Sequence, residues 1–235
     1  MKSVCALGLG GLLLLASSQA QPASTDRSRG DAHARIVVRK AGFSGSTSAT
    51  YGVVLVNSSA VDAYGVVVTV KIVDEYGLPV GTQRSTVTVI PAGARFALGG
   101  EVALSEPADA GTRIRASARA TSSKPARVAV ATVKSERVAR DAGSGSWQVS
   151  GVFRNPYRRA LQQYDAAACA VVFDAKSRKP VGGTCEEIGA ATGGWHVRSG
   201  KTAAVHLLTT LRGAVPSGTT AAVSIDPGSA VARGR

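Results

Sequence analysis

The side chains best suited to chemistry are few and widely spaced. The 235 residues include three histidines, His33, His196 and His206. A nucleophile needs a base within hydrogen-bond reach, and that base is usually an imidazole. His33 stands in a polar leader, and the other two fall in or beside strand-like sequence. No G-x-S-x-G elbow occurs. The carboxylates do no better. Glu186 and Glu187 are neighbours, and neighbours on a strand point to opposite faces. Asp74 and Asp174 each close a β-prone run, where an aspartate side chain accepts bonds from backbone N–H groups two residues on. Both read as turn-formers, as do Gly93 and Gly200. Three cysteines and three histidines are too few for a zinc ligand set, and no EF-hand spacing is present. The chain is therefore expected to carry no catalytic residue, no metal and no cofactor.

The N-terminus reads as a targeting segment. Lys2 precedes an uncharged apolar run, Cys5 to Ala16, and small residues follow at Ser18 and Ala20. That is the layout of a secretory signal peptide cleaved after Ala20, and it is too short to span a bilayer. The expected product is secreted or periplasmic, starting at Gln21. A polar leader, 21–32, is expected to be flexible. Cleavage removes Cys5 and leaves Cys169 and Cys185, an even count in an exported chain, which predicts a disulfide. If Asp174 opposes Pro180 across a turn, the two cysteines fall directly opposite each other on adjacent antiparallel strands, at bonding distance.

These features are carried by short β-prone runs separated by Gly, Pro, Asn and Ser. RIVV (35–38), YGVVLV (51–56), YGVVVTVKIV (64–73), STVTVI (85–90), ARFAL (94–98) and RIRASARA (113–120) all read as strands. Val66, Val68, Val70 and Ile72 share one face, with Val67, Thr69, Lys71 and Val73 on the other, as in a strand packed on a core from one side. The order then recurs about 100 residues on. Tyr64 and Asp74 match Tyr164 and Asp174, Asn57 matches Asn155, Gly93 matches Gly200, and Lys40 matches Lys134. A repeat of this length is a duplicated domain. The reading is all-β: two tandem immunoglobulin-like antiparallel β-sandwich domains, 33–121 and 122–235, linked near TSSKPA (121–126). The Cys and Trp arrangement of antibody domains is absent.

The outline resembles the bacterial FxLYD domain, which has a strand ending in an apolar-x-apolar-apolar-Asp motif, a short turn, a returning strand and a Pro-x-Gly-like turn. Val70-Lys71-Ile72-Val73-Asp74, Gly77 and Pro91-Ala92-Gly93 follow that outline. Ala170-Val171-Val172-Phe173-Asp174 and Gly200 follow it in the second half, with Arg198 in place of the Pro. The resemblance implies small sandwich domains on exported bacterial proteins and carries over no catalytic residues.

Charge supplies the functional expectation. Net charge is +13, and aromatics are 5% of residues. Residues 21–121 hold 11 basic and 8 acidic side chains, whereas 122–235 hold 16 and 7. Arg154, Arg158 and Arg159 form one basic group, and Lys176, Arg178 and Lys179 form another at a hairpin tip. Both are expected on solvated, mobile loops, with NPYRR (155–159) exposed. The other aromatics of the second half, Trp147, Phe153, Tyr164, Phe173 and Trp195, are expected to serve the core. The reading is an exported, non-enzymatic binding or structural module of the bacterial cell envelope. Its second domain would bind an anionic envelope polymer, with another envelope protein as the alternative partner and nucleic acid disfavoured by export. The alternatives are an assembly subunit that pairs strands with a partner and an enzyme accessory subunit.

Overall fold

The computed structural model describes residues 33–141, 146–211 and 218–231, with the side chain of Ser135 excepted. The segment read as a signal peptide and the one read as a leader lie outside the described residues.

Alternating apolar residues build the first half. Strand β1 (Ile36–Ser44) pairs with β2 (Ser48–Asn57), and β2 pairs with β5 (Arg95–Ala103). Facing them, β3 (Val61–Val73) pairs with β4 (Pro79–Ile90) on one side and β6 (Arg113–Arg119) on the other. Tyr51, Val53 and Leu55 meet Val66, Val68, Val70 and Ile72 in one buried core. Every one of these strands is present; β1 to β5 run three or more residues beyond the sequence reading at one end, and β6 stops one residue short of it.

The second half repeats this order. Strands β8 (Val133–Arg140), β9 (Trp147–Arg154) and β14 (Thr202–Thr209) form one sheet, β14-β9-β8. Strands β11 (Ala167–Phe173), β12 (Pro180–Glu187) and β15 (Thr220–Asp226) form the other, β12-β11-β15. A two-residue ladder joins β10 (Leu161–Gln162) to β13 (His196–Val197). A five-residue helix, α1 (Ile188–Thr192), stands where the sequence reading had no helix. It buries Ile188 and Ala191 and ends on Gly193 at φ 67°.

The matched residues make matched bonds. Asn57 Nδ2 donates to the carbonyls of Val61 and Ile90 at 2.7 and 2.9 Å. Asn155 Nδ2 donates to those of Arg159 and Val197 at 3.0 and 2.8 Å. Each asparagine is fully buried and accepts from the amide two residues on. Gly93 and Gly200 take φ 69° and 72° in the turns that lead into β5 and β14.

Stretch 121–126, read as a link, is not free chain. Strand β7 (Ser122–Pro125) continues along β3 beyond β6. The buried Asp62 then accepts from the amides of Ala92, Arg127 and Val128 at 2.9, 2.8 and 3.0 Å. A carboxylate buried without cations is tolerated when several N–H dipoles converge on it.

The two halves share a tight interface. Strand β12 runs against β1, β2 and β5. A Cβ on Gly52 would sit 2.6 Å from the Gly182 carbonyl oxygen and 2.7 Å from Val171 Cγ1. Face-to-face sheets usually stand about 10 Å apart because side chains fill the gap; here glycine lets backbone approach backbone. Strand β15 closes the first half's open edges. Ser224 Oγ accepts from the Ala97 amide, and Asp226 Oδ2 from the Thr88 amide, both at 2.9 Å. The described residues accordingly form one compact body.

Cys169 and Cys185 are directly opposite on β11 and β12 and form a disulfide with Cα atoms 4.0 Å apart, although Pro180 opposes Phe173 and not Asp174. The register slips only beyond them, between Val172 and Phe173. Both cysteines belong to the second half. Cys169 nevertheless packs into the first half's core, because it points away from its own.

Candidate polyanion-binding surface

The two predicted basic groups lie at opposite ends of β11. Arg158 and Arg159 are exposed on the turn that Asn155 holds, whereas Lys176, Arg178 and Lys179 are exposed at the far hairpin. Seven residues of strand separate them, about 20 Å at 3.4 Å per residue. They do not converge.

Each group is pinned by its backbone. Asp174 Oδ1 accepts from the amides of Ser177 and Lys176 at 2.7 and 3.2 Å. The bonds to Ser177 and then Lys176 hold its carboxyl below the ordinary range. Asp74 plays the same part through the Leu78 amide at 2.7 Å. Lys40 Nζ, from β1, donates to the Arg178 carbonyl at 2.9 Å, which ties the basic tip to the first half. Arg154 Nε donates to the Gly200 carbonyl, also at 2.9 Å.

Tyr157 corrects the reading of NPYRR as exposed. Its side chain is buried, and burial, with the Asp226 charge second, pushes its hydroxyl pKa up. Asn155 bonds the Tyr157 amide at 2.9 Å and so turns the ring inward while the two arginines face out. The aromatics expected in the core divide. Phe153 is buried, Trp147 and Phe173 are half-buried, and Tyr164 and Trp195 are exposed at 71% and 75%. Both exposed rings adjoin the small β10–β13 ladder, which is too short to cover them.

A different basic surface comes from the β14-β9-β8 sheet. Val149 and Phe153 point into the core, so Ser150, Val152 and Arg154 point outward. The ladder sets Thr202 beside Arg154, Ala204 and Lys134 beside Val152, and His206 and Arg137 beside Ser150. Lys134, Arg137, Arg154 and His206 are all exposed. At one end the face opens into a groove of about 820 Å³. Lys134 and Arg154 flank it, Thr132, Ser199 and Thr202 add hydroxyls, and no carboxylate lines it. Sequence reasoning used Lys134 only as a repeat marker and passed over Arg137. Strict alternation over three positions would put them on opposite faces, and the bulge between them brings both to one face.

The nearby carboxylates are engaged in sheet edges. Glu186 Oε1 accepts from the Leu208 amide at 2.8 Å, and Glu136 Oε1 from the Val223 amide at 2.7 Å. Burial raises the pKa of Glu136 against that bond. His196 Nε2 meets Arg198 Nε at 3.4 Å on the surface. Among the described residues, no three His, Cys, Asp or Glu side chains are grouped to hold a metal ion.

Neither a protein-family model nor a curated protein matches the chain. Among solved structures, the tandem CBM22 domains of Paenibacillus barcinonensis Xyn10C align at 12% identity over 85% of this chain and 91% of that one, with a TM-score of 0.14. Bacillus subtilis oxalate decarboxylase OxdC aligns at 10% identity over 84% and 75%, with a TM-score of 0.11. Likenesses this slight carry no argument about fold or function.

Proposed function

We propose that the chain is an exported, non-enzymatic binding module of the bacterial cell envelope that holds an anionic polymer on its β14-β9-β8 face. The observation that carries this reading is the convergence of Lys134, Arg137 and Arg154 on one exposed sheet face whose groove is lined by hydroxyls and no carboxylate. Guanidinium and ammonium groups beside hydroxyl donors suit phosphate, sulfate or carboxylate on a hydroxylated chain. The signal-like N-terminus, the disulfide and the FxLYD resemblance support export. Strand pairing with a partner is the weaker reading. Side chains from β15 already cap amides on β4 and β5, and Glu186 caps one on β14.

The test is titration of the mature protein with dextran sulfate, with neutral dextran as the control. Lys134→Gln/Arg154→Gln should weaken dextran sulfate binding and lower the salt slope by about two. Unchanged binding by this variant would remove the basis of the reading. Intact mass of exported protein should begin at Gln21.

A further inference from the structure

The first half carries a second basic face that charge counting hides. On β3, Val66, Val68, Val70 and Ile72 enter the core, so Val67, Thr69 and Lys71 face outward. Strand β6 reads RIRASAR. Ile114, Ala116 and Ala118 pack on the core, which leaves Arg113, Arg115, Ser117 and Arg119 outside. On β4, Val87 points inward opposite Val66, so Thr82, Arg84 and Thr86 face outward.

The ladder fixes their arrangement. One row across the sheet is Thr86, Val67, Arg119, the next is Arg84, Thr69, Ser117, and the next is Thr82, Lys71, Arg115. Arg113 lies beyond, opposite Val73. The five cations are exposed, and among the described residues none forms an ion pair. Adjacent strands stand about 4.8 Å apart and alternate residues about 6.8 Å along a strand. The cations therefore form a flat lattice with hydroxyls between them. Lys124 extends the row along β7, its ammonium 4.9 Å from the Tyr64 ring centroid.

The acids that lower this half's net charge are elsewhere. Asp62 is buried among amides, and Asp74, Glu75 and Asp109 sit in turns beyond the Arg113 end. The corresponding faces differ in fate as well. In the second half, β12-β11-β15 is covered by the first half's β1-β2-β5, whereas among the described residues no strand packs on the outer face of β4-β3-β6.

We propose that the outer face of β4-β3-β6 is a second binding site, for a linear anionic polysaccharide. Four arginines to one lysine favour oxyanions held by forked hydrogen bonds over diffuse attraction alone. Thr69, Thr82, Thr86 and Ser117 offer partners to sugar hydroxyls. Among the described residues the only rings at this face are Tyr64, covered by Lys124, and Tyr76 in the turn at its margin, too few to stack successive bases along a strand. Its exposed apolar side chains, Tyr76 and Leu78, are confined to the β3–β4 turn at the Arg115 end, and vesicle binding tests whether they anchor it in a bilayer. The site is independent of the β14-β9-β8 face, so each can fail alone.

The experiment uses the mature protein and three variants of equal charge loss. Arg115→Gln/Arg119→Gln tests this face, Lys134→Gln/Arg154→Gln the other, and Lys176→Gln/Lys179→Gln the hairpin tip as a charge control. The probes are dextran sulfate, neutral dextran, poly-uridylate and vesicles containing phosphatidylserine, each titrated across a salt series. Arg115→Gln/Arg119→Gln should lower the salt slope for dextran sulfate by about two, with the tip variant close to wild type. Arg115→Lys/Arg119→Lys should keep the slope but bind more weakly, which separates recognition from charge and controls for folding. Equal loss in the tip variant would reduce the effect to net charge and overturn the proposal. Tighter binding to poly-uridylate or to vesicles than to dextran sulfate would overturn the ligand class. If Arg115→Gln/Arg119→Gln self-associates with binding unchanged, the arginines only guard an edge strand and the proposal fails.

Discussion

A Cβ added at Gly99 would lie 2.5 Å from the Ala170 carbonyl oxygen and closer still to the Thr184 nitrogen and the Gly183 carbonyl carbon. All three are backbone atoms of the opposing β12-β11-β15 sheet, so no side chain can rotate away. To bring the shortest of these, 2.0 Å, to an ordinary contact near 3.4 Å the two sheets must part by about 1.4 Å, and a gap of even about 0.5–1 Å forfeits a quarter to a half of each dispersion contact across it. Overpacking alone costs roughly 1–3 kcal/mol. With the lost contacts added, Gly99→Ala should destabilise by at least about 3 kcal/mol. In a chain of this size that lowers Tm by about 6–12 °C. Gly93→Ala is the matched control. Its φ of 69° strains alanine, but nothing lies within 4 Å, so only the left-handed penalty of about 1–2 kcal/mol applies. Urea and thermal unfolding followed by circular dichroism compare the two. If Gly99→Ala is no less stable than Gly93→Ala, the halves do not meet through backbone at this point and the fused interface is wrong.

Three further outcomes follow from named contacts. Asp62→Ala strands the amides of Ala92, Arg127 and Val128, and at about 1–3 kcal/mol each the loss should be at least about 3 kcal/mol. Limited proteolysis should then cut first near 121–128, and unaltered cleavage would argue against the clamp. Reducing the Cys169–Cys185 bridge, which closes a separation of 16 residues, should cost roughly 3 kcal/mol in urea unfolding with and without reductant. Burial raises the Asp226 carboxyl above its ordinary value, against the bonds from Thr88 and with the Asp165 charge adding to the rise. The folded state therefore takes up this proton before the unfolded chain does as pH falls. Stability from this group grows as pH drops through the raised value toward 3.8. The stability of wild type relative to Asp226→Asn should rise from pH 7 to pH 4, and a flat difference would contradict the assignment.

Much of the fold was legible because its rules are local. Val66 to Ile72 alternate with a period of two, and that alone requires a strand with one buried face. The turn closed by Asp174 brings β12 back along β11, but with Pro180 opposite Phe173 its register alone would set Cys169 opposite Thr184; the slip beyond Val172 places it opposite Cys185. Asn57 with Asn155, and Gly93 with Gly200, announced equivalent corners because each fills a backbone position that few other residues tolerate. Tyr157 was misjudged because an Asn-Pro turn signals exposure of the chain, not the direction of each side chain. Trp195 and Tyr164 were misjudged because an aromatic's burial depends on whether another element is available to cover it.

The sequence by itself determined the strands, the turns, the disulfide and the total charge. Only the tertiary structure decided which second faces are covered. Alternation states what a strand offers on each side but not what lies opposite. In the first half, the outer face of β1-β2-β5 carries Gly42, Gly52 and Gly99 and is sealed against β12-β11-β15. In the second half the equivalent face carries Lys134, Val152 and Arg154 and stays open. Net charge per half pointed to the second half, yet the lattice of Lys71, Arg84, Arg113, Arg115 and Arg119 belongs to the first. Among the described residues its acids lie off that face, Asp62 buried, Asp74, Glu75 and Asp109 in turns and Glu101 on β5 of the other sheet, and a sum over residues cannot see that segregation.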